Sequence, residues 1–288
     1  MTPQSLAKEA TTLFTLPDVV LRANAVMASP KGTSHELVKV IEVDAGLTAR
    51  VLRLANSILY GYFGRVENLT HALAIVGHNA LRDLVLASAA VKTFQNIPAE
   101  FVDMDTFWDN SITCAVLTQQ IARRLRLPES ESLFISGLLH GVGRLVFYAR
   151  RPNEYRMALQ LAHGGELDLT TAERSIFGFT YAELGAALLT AWGLPRKLCL
   201  AVEYQLEPDQ APGHQKEAAL LHLANAMTTR LAPCLKTREQ PEPFSPDLIS
   251  FAAKLGLSQA DLEQLQLSAL SASIEIIEII HPNATTLY

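Results

Sequence analysis

Apolar positions recur along this chain at three- and four-residue intervals. Leu37, Val40, Ile41 and Val43 with Asp44 suit one amphipathic helix from about Ser34. Leu47, Val51, Leu54 and Ala55 suit the next, with Asp44-Ala45-Gly46 between them. Leu69 to Val76 predicts a short helix ended by Gly77, placed where glycine accepts the left-handed conformation of a helix stop. Leu81, Leu84, Val85 and Ser88 carry the pattern on to about Phe94. After Pro98 a long helix is expected from about Thr106 to Leu125, with Ile112, Ala115, Val116, Gln119 and Ala122 on one stripe and Leu127-Pro128 as its stop. Another is expected from about Glu129 to His140, ending in a Gly141-Val142-Gly143 turn.

Helix starts are marked further on by Thr170 with Glu173 and by Thr180 with Glu183, both in capping-box spacing. Gly193-Leu194-Pro195 is a stop, followed by helices from about Arg196 to Tyr204 and from about Gln215 to Leu231. Four prolines between Ala232 and Pro246 predict an exposed loop. Ser245-Pro246-Asp247 then places an N-cap, a first-turn proline and a first-turn acid in the order helix entry prefers. That helix reaches Leu255 before Gly256, and Ser258 to Ile280 reads as a last long helix. Alternating β-branched runs joined by hairpin turns are missing, and no repeat of fixed period stands out. The expectation is an all-α protein of about a dozen helices. We divide it into an N-terminal helical subdomain (residues 1–98), a helical bundle (99–232) and a loop with a C-terminal helical extension (233–288).

Composition narrows the class. Of 288 residues, 49% are hydrophobic and 18% charged, enough apolar material for a sizeable core and too little charge for a disordered chain. The net charge of −5 argues against a broad electrostatic grip on nucleic acid or an anionic membrane. Cys114, Cys199 and Cys234 are too widely spaced for a zinc ribbon or a thioredoxin-type pair, and read as thiols in a reducing compartment. Met1-Thr2-Pro3-Gln4 lacks the basic start of a signal peptide, and no apolar run approaches the ~18 residues of a membrane span. A cytoplasmic protein with no membrane partner is expected.

The most informative segment is Gly137-Leu138-Leu139-His140-Gly141-Val142-Gly143-Arg144-Leu145. It resembles the Gly-Leu-Leu-His-Asp-Ile-Gly-Lys-Leu signature of the HD-superfamily phosphohydrolases. Other blocks narrow the resemblance to HDOD domains, a bacterial signalling branch of that superfamily. Asp44 to Ser57 is similar to the branch's Asp-Pro-x-Leu-x-x-Arg-x-Leu-x-x-Ala-Asn-Ser block, and Ala72 to Leu81 to its Ala-Ile-x-x-Leu-Gly block. Leu184-Gly185-Ala186 followed by Trp192-Gly193-Leu194-Pro195 is similar to its Leu-Gly-Ala and Trp-x-Leu-Pro block. The resemblance runs from about Leu16 to Leu231. It implies an HD-like bundle packed on the smaller N-terminal subdomain.

In the superfamily a His-Asp doublet binds a divalent metal, with further histidines and a late aspartate completing the site. Carried over residue by residue, little of that set remains. The first histidine falls on Asn110 in Trp108-Asp109-Asn110-Ser111, and the aspartate of the doublet falls on Gly141. The histidine before the Ala-Glu-x-Gly run falls on Tyr181. The paired histidines fall near Gln205 and Leu206, and the late aspartate falls on Asn225. His140 alone is kept. A histidine among amides and a phenol is a poor divalent site, since no carboxylate offsets the ion's charge. For His140 the plainer reading is a hydrogen-bonded histidine at a helix end. The other histidines are scattered; His222, three residues before Asn225, is a candidate for the same cleft by a spacing that is common by chance.

Other features favour bland readings. The helices flanking Asp44-Ala45-Gly46 imitate a helix-turn-helix, with Arg50, Arg53, Asn56 and Ser57 pointing outward. Residues 1–100 nonetheless carry nine Lys+Arg against eight Asp+Glu, without the basic footprint of a DNA-binding module. Arg123, Arg124 and Arg126 suit a helix C-terminus. Arg144, Arg150, Arg151 and Arg156 form a second run, read first as a solvated face and second as a site for an anion. No GxSxG or P-loop motif occurs, and Gly164-Gly165 is read as a turn. The last helix is apolar on more than one face, which suits packing on its own bundle or, failing that, self-association into a homodimer or the docking of another protein.

Together these readings imply a non-catalytic signalling and interaction module resembling a stand-alone HDOD domain. Its vestigial cleft comprises Asn110, His140, Gly141, Arg144, Tyr181, Gln205 and Asn225. No catalytic residue, metal or cofactor is assigned, and the expected partners are signalling proteins. Two alternatives are a metal-dependent phosphohydrolase with a redrawn site, and a sensor of a nucleotide or other small anion in that cleft.

Overall fold

The computed structural model describes residues 1–29, 32–60, 64–94, 97–127, 133–162, 166–237 and 243–281. Among them are fifteen α-helices, one three-residue 3-10 turn and no strand. The N-terminal group comprises α1 (Pro3–Thr11), α2 (Asp18–Ala28), α3 (Ser34–Glu42), α4 (Ala45–Ala55) and α5 (Leu69–Thr93). The bundle is built from α6 (Met104–Arg124), α7 (Leu133–Leu139), α8 (Val142–Arg150), α9 (Pro152–Leu161), α10 (Glu166–Phe177), α11 (Tyr181–Ala191), α12 (Arg196–Glu203) and α13 (Gln215–Thr237). Then come α14 (Pro246–Lys254) and α15 (Gln259–Ile280).

The local signals explain most of the boundaries. Thr33 caps α3 with Glu36 in reciprocal hydrogen bonds, as Ser258 caps α15 with Asp261. Ser245 accepts from the Leu248 amide at the start of α14, with Pro246 in its first turn. Gly77 breaks α5 at φ +81° and ψ 170°, so the two apolar limbs are bent against each other. The apolar residues of α5, including Leu69, Ala72, Leu81, Leu84 and Val85, are buried in the core. Among the described residues no single helix is long and apolar enough to cross a membrane.

α6 is the centre of the bundle and packs against α7, α13 and α15. α1 lies against α8 and α11, which joins the N-terminal group to the bundle. That junction is aromatic: Phe14, Phe94 and Trp192 meet at ring separations of 4.7 and 5.7 Å, and Trp192 Nε1 donates to the Phe14 carbonyl at 3.2 Å. One continuous core cluster runs from Leu6 on α1 to Ile280 on α15. Cys114 and Cys199 are buried thiols outside any disulfide, and burial pushes the Cys199 thiol above its ordinary value.

Several expectations are corrected. α7 ends at Leu139, as expected near His140, but the turn is only His140-Gly141; Gly141 caps α8, and Val142 and Gly143 form its first turn. Helices α1, α2, α8 and α9 were not anticipated from the pattern. α13 runs past Leu231 to Thr237, so the proline-bearing stretch is helical at its start. Glu129, Pro128 and Gly164-Gly165 lie outside the described residues. Thr170 is inside α10 and does not cap it. Of the residues expected to point outward, Asn56 is exposed but tied to the chain's own backbone, and Ser57 is not outward. The Asn56 amide clips the Val66 backbone from both sides, at 2.7 and 2.9 Å, and Ser57 is buried.

The arginine runs also have structural jobs. Arg124 Nε donates to Asp261 at 2.9 Å, and Arg123 donates to the Leu59 carbonyl. Arg150 bonds Thr12 and the Glu9 carbonyl on α1 and its C-terminal flank, Arg151 bonds the Glu9 carboxylate at 3.0 Å, and Arg156 bonds Glu100 at 3.1 Å. They fasten helices to one another.

Candidate functional site

The motif around His140 is a packing device as built. An added Cβ on Gly137 would lie 2.5 Å from Ala115 Cα, so glycine is what lets α7 approach α6. An added Cβ on Gly143 would lie 1.9 Å from the Tyr181 carbonyl oxygen and 2.7 Å from the Gly185 amide nitrogen. The crossing of α8 over α11 therefore needs glycine at that position. A Cβ on Gly141 would meet only the edge of the Phe107 ring, at 3.3 Å.

His140 is buried at the end of α7. Its Nδ1 lies 2.7 Å from the Gly137 carbonyl oxygen, and because a carbonyl only accepts, Nδ1 carries the proton. The His140 carbonyl accepts from Gln205 Nε2 at 3.0 Å, and the same nitrogen donates to the Val202 carbonyl at 3.0 Å. The Gln205 carbonyl in turn accepts from His222 Nδ1 at 2.8 Å. A hydrogen-bonded chain thus runs from the α7–α8 junction through the residues following α12 to α13. Gln205 is 1% exposed, and its Oε1 accepts no hydrogen bond among the described residues.

A second junction holds charge. Glu173 on α10 is fully buried. Its carboxylate accepts from the Tyr155 hydroxyl at 2.6 Å and from the Tyr181 backbone amide, the first of α11, at 2.8 Å. A carboxylate there satisfies an orphan amide and complements the helix dipole. Burial, then the Glu173 charge, pushes the Tyr155 phenol well above its ordinary value, while Arg144 opposes the shift. The Arg144 guanidinium lies 4.0 Å from the centre of the Tyr181 ring, a cation–π contact. The capping box expected of Thr170 with Glu173 is therefore absent, and that of Thr180 with Glu183 is present.

The structure thus connects His140, Gly141 and Gln205 at one junction, and Arg144 and Tyr181 at the other. Asn225 lies on α13 and, with His222, lines a cavity of about 250 Å³. Thr170 and Thr180 also face this cavity. Asn110 is half-buried on α6, one turn beyond Phe107, and no hydrogen bond joins it to the His140 chain. The pattern missed Glu173 and Asp109, a second buried carboxylate, next to Asn110.

The ligand set is a poor fit for a divalent ion. Asn110, Gly141, Tyr181, Gln205 and Asn225 supply no carboxylate and no imidazole at the aligned positions. Gln205 spends its amide nitrogen on two backbone carbonyls. Among the described residues no group of three or more His, Cys, Asp or Glu side chains is arranged to hold a metal.

Comparison with known proteins agrees with this architecture. A protein from Shewanella amazonensis SB2B, provisionally named a phosphohydrolase, superposes with a TM-score of 0.72 at 25% identity over 96% of this chain and 98% of that one. An HDOD domain protein of unknown function from Geobacter sulfurreducens gives 0.70 at 24% identity over 96% and 97%. A protein from Marinobacter aquaeolei VT8, provisionally named for signal transduction, gives 0.64 at 23% identity over 95% and 60%. The last two likenesses are of fold. An uncharacterised protein of Treponema pallidum (strain Nichols) is 22% identical over 216 residues, 74% of this chain, which spans only 41% of that relative's length. The HDOD domain model matches residues 13–208, which takes in the bent α5, the His140 junction and the Glu173 junction. The chain belongs to the HDOD domain family.

Proposed function

We propose that the chain is a non-catalytic signalling module that works through contacts with partner proteins. The observation that carries this reading is the Gln205–His140 hydrogen bond. Where the resemblance implies metal ligands, a neutral amide is committed to the backbone of the one histidine that is kept. A divalent ion there would lose its hydration shell with no carboxylate at the aligned positions to replace it, a cost these neutral groups do not offset. The relatives named for phosphohydrolases and for signal transduction share the fold, and the donor set favours the second use.

The test is metal content by mass spectrometry on tag-free protein purified without chelator, for the native chain and for Gly141→Asp. We expect far less than one transition-metal ion per chain in both, because restoring the doublet leaves Asn110, Tyr181, Gln205 and Asn225 unchanged. One ion per chain in the native protein, lost on His140→Ala together with a phosphodiesterase activity, would overturn the reading.

A further inference from the structure

We propose that the cavity between α10, α13 and the residues after α12 binds a small uncharged molecule bearing an amide-like donor–acceptor edge, a carboxamide or a nucleobase. This goes beyond the reading above, since a module that signals through protein contacts does not require it.

Three observations select that chemistry. The first is which polar groups remain available. His222 donates Nδ1–H to the Gln205 carbonyl at 2.8 Å, so in the neutral ring the nitrogen left for a ligand is Nε2, an acceptor. Asn225 lies three residues further along α13, on the same side of the helix, and its amide makes no hydrogen bond within the described residues. Together they offer two acceptors and a donor within one cavity. The complementary ligand edge carries N–H groups beside an oxygen or ring-nitrogen acceptor.

The second observation is the charge of the rim. Arg174 bonds Glu183 and Glu207, each at 3.2 Å, so one cation is answered by two carboxylates. A phosphate would meet net repulsion at this mouth. The anion reading for this part of the cleft is therefore disfavoured, and an uncharged ligand favoured.

The third is size. About 250 Å³ is smaller than the roughly 300–1,000 Å³ of pockets that take drug-sized ligands. It accommodates a single substituted ring beside the apolar side chains Leu206 and Ala226, and a whole nucleotide would extend out of its mouth past Arg174 and Glu207.

The experiment is isothermal calorimetry on the full chain with four probes: nicotinamide, adenine, AMP and inorganic phosphate. The variants are Asn225→Asp, which keeps the shape and removes the donor, and Ala226→Phe, which fills the cavity. Each is first checked for native melting by circular dichroism. We expect saturable binding of nicotinamide or adenine to the native chain, with the better of the two identifying the source. AMP and phosphate should bind more weakly or not at all. Asn225→Asp should weaken the neutral probe about tenfold or more, the loss typical of one bidentate contact, and Ala226→Phe should abolish it. Failure of both neutral probes to bind the native chain, tighter binding of phosphate, or binding unchanged in a natively melting variant would overturn the proposal. None of these outcomes bears on metal content, so this proposal and the proposed function fail separately.

Discussion

His140 and Glu173 each anchor a helix junction of the same bundle, and they do so by opposite means. At His140 the histidine ring, the Gln205 amide and backbone carbonyls exchange hydrogen bonds. At Glu173 a fully buried carboxylate takes a phenol and a helix-starting amide. The buried charge lies where the local pattern suggests only a helix cap. Neither junction can be read from its local motif, since the Gln205–His140 and Tyr155–Glu173 bonds are each fixed by a residue distant in sequence.

The crossing of α8 over α11 holds these junctions in one frame, so the largest effect should come from disturbing it. Gly143→Ala puts a methyl group against the Tyr181 carbonyl and the Gly185 amide, both backbone, which rotamer changes cannot relieve. We expect a loss of about 3 kcal/mol or more by urea denaturation, beyond the usual range for overpacking. A loss below about 1 kcal/mol would mean that the helices slide apart cheaply and that the crossing is not a constraint.

Glu173→Ala should come next, at about 2 kcal/mol or more. It strands the Tyr155 hydroxyl and the Tyr181 amide in the core, and each buried unsatisfied group costs roughly 1–3 kcal/mol. The Tyr155 phenol should also titrate lower once the Glu173 charge is gone. Gln205→Leu should cost less, about 1 kcal/mol. The His140 and Val202 carbonyls lose one donor, but Gln205 already carries an unsatisfied Oε1 that leucine removes. If Gln205→Leu proved costlier than Glu173→Ala, the contrast between the two junctions would be reversed.

How far the sequence could foresee this is clear from the two Thr-x-x-Glu patterns. Thr180 and Glu183 match the capping box and form it, whereas Thr170 and Glu173 match it equally well and do not. The partner that decides for Glu173 is Tyr155, 18 residues earlier, and a local pattern carries no trace of it. Gly77, Gly193 and Gly256 were legible as stops because a positive φ is a local demand. The start of α8 was not, since Gly141-Val142-Gly143 reads as a turn until the closeness of α11 explains Gly143. In the candidate site the loss of ligands could be read residue by residue. The meeting of His222 with Asn225 at one cavity was legible only as a candidate, because helical spacing alone brings many such pairs to one face.

The smallest expected effect concerns Glu203 at the end of α12, which is more exposed than either junction. Its carboxyl is held above the usual range, first by burial and then by the Glu183 charge. The folded chain therefore keeps this proton to a higher pH than the unfolded chain does. The sign follows: the contribution to stability is most favourable below the unfolded carboxylate value of about 4.3 and declines as pH rises through the folded value. Glu203→Gln removes the ionisable group, so the variant should be more stable than the native chain at neutral pH, with the gain fading near pH 4. Because Glu203 is partly exposed, solvent screening limits the gain to at most about 0.5 kcal/mol. The neighbouring Tyr204 phenol gives an independent readout, since the charge of Glu203 is the first cause of its raised value. It should move back toward its ordinary range in the variant. A variant less stable at neutral pH, or equally stabilised at pH 4, would show that Glu203 is not a strained charge.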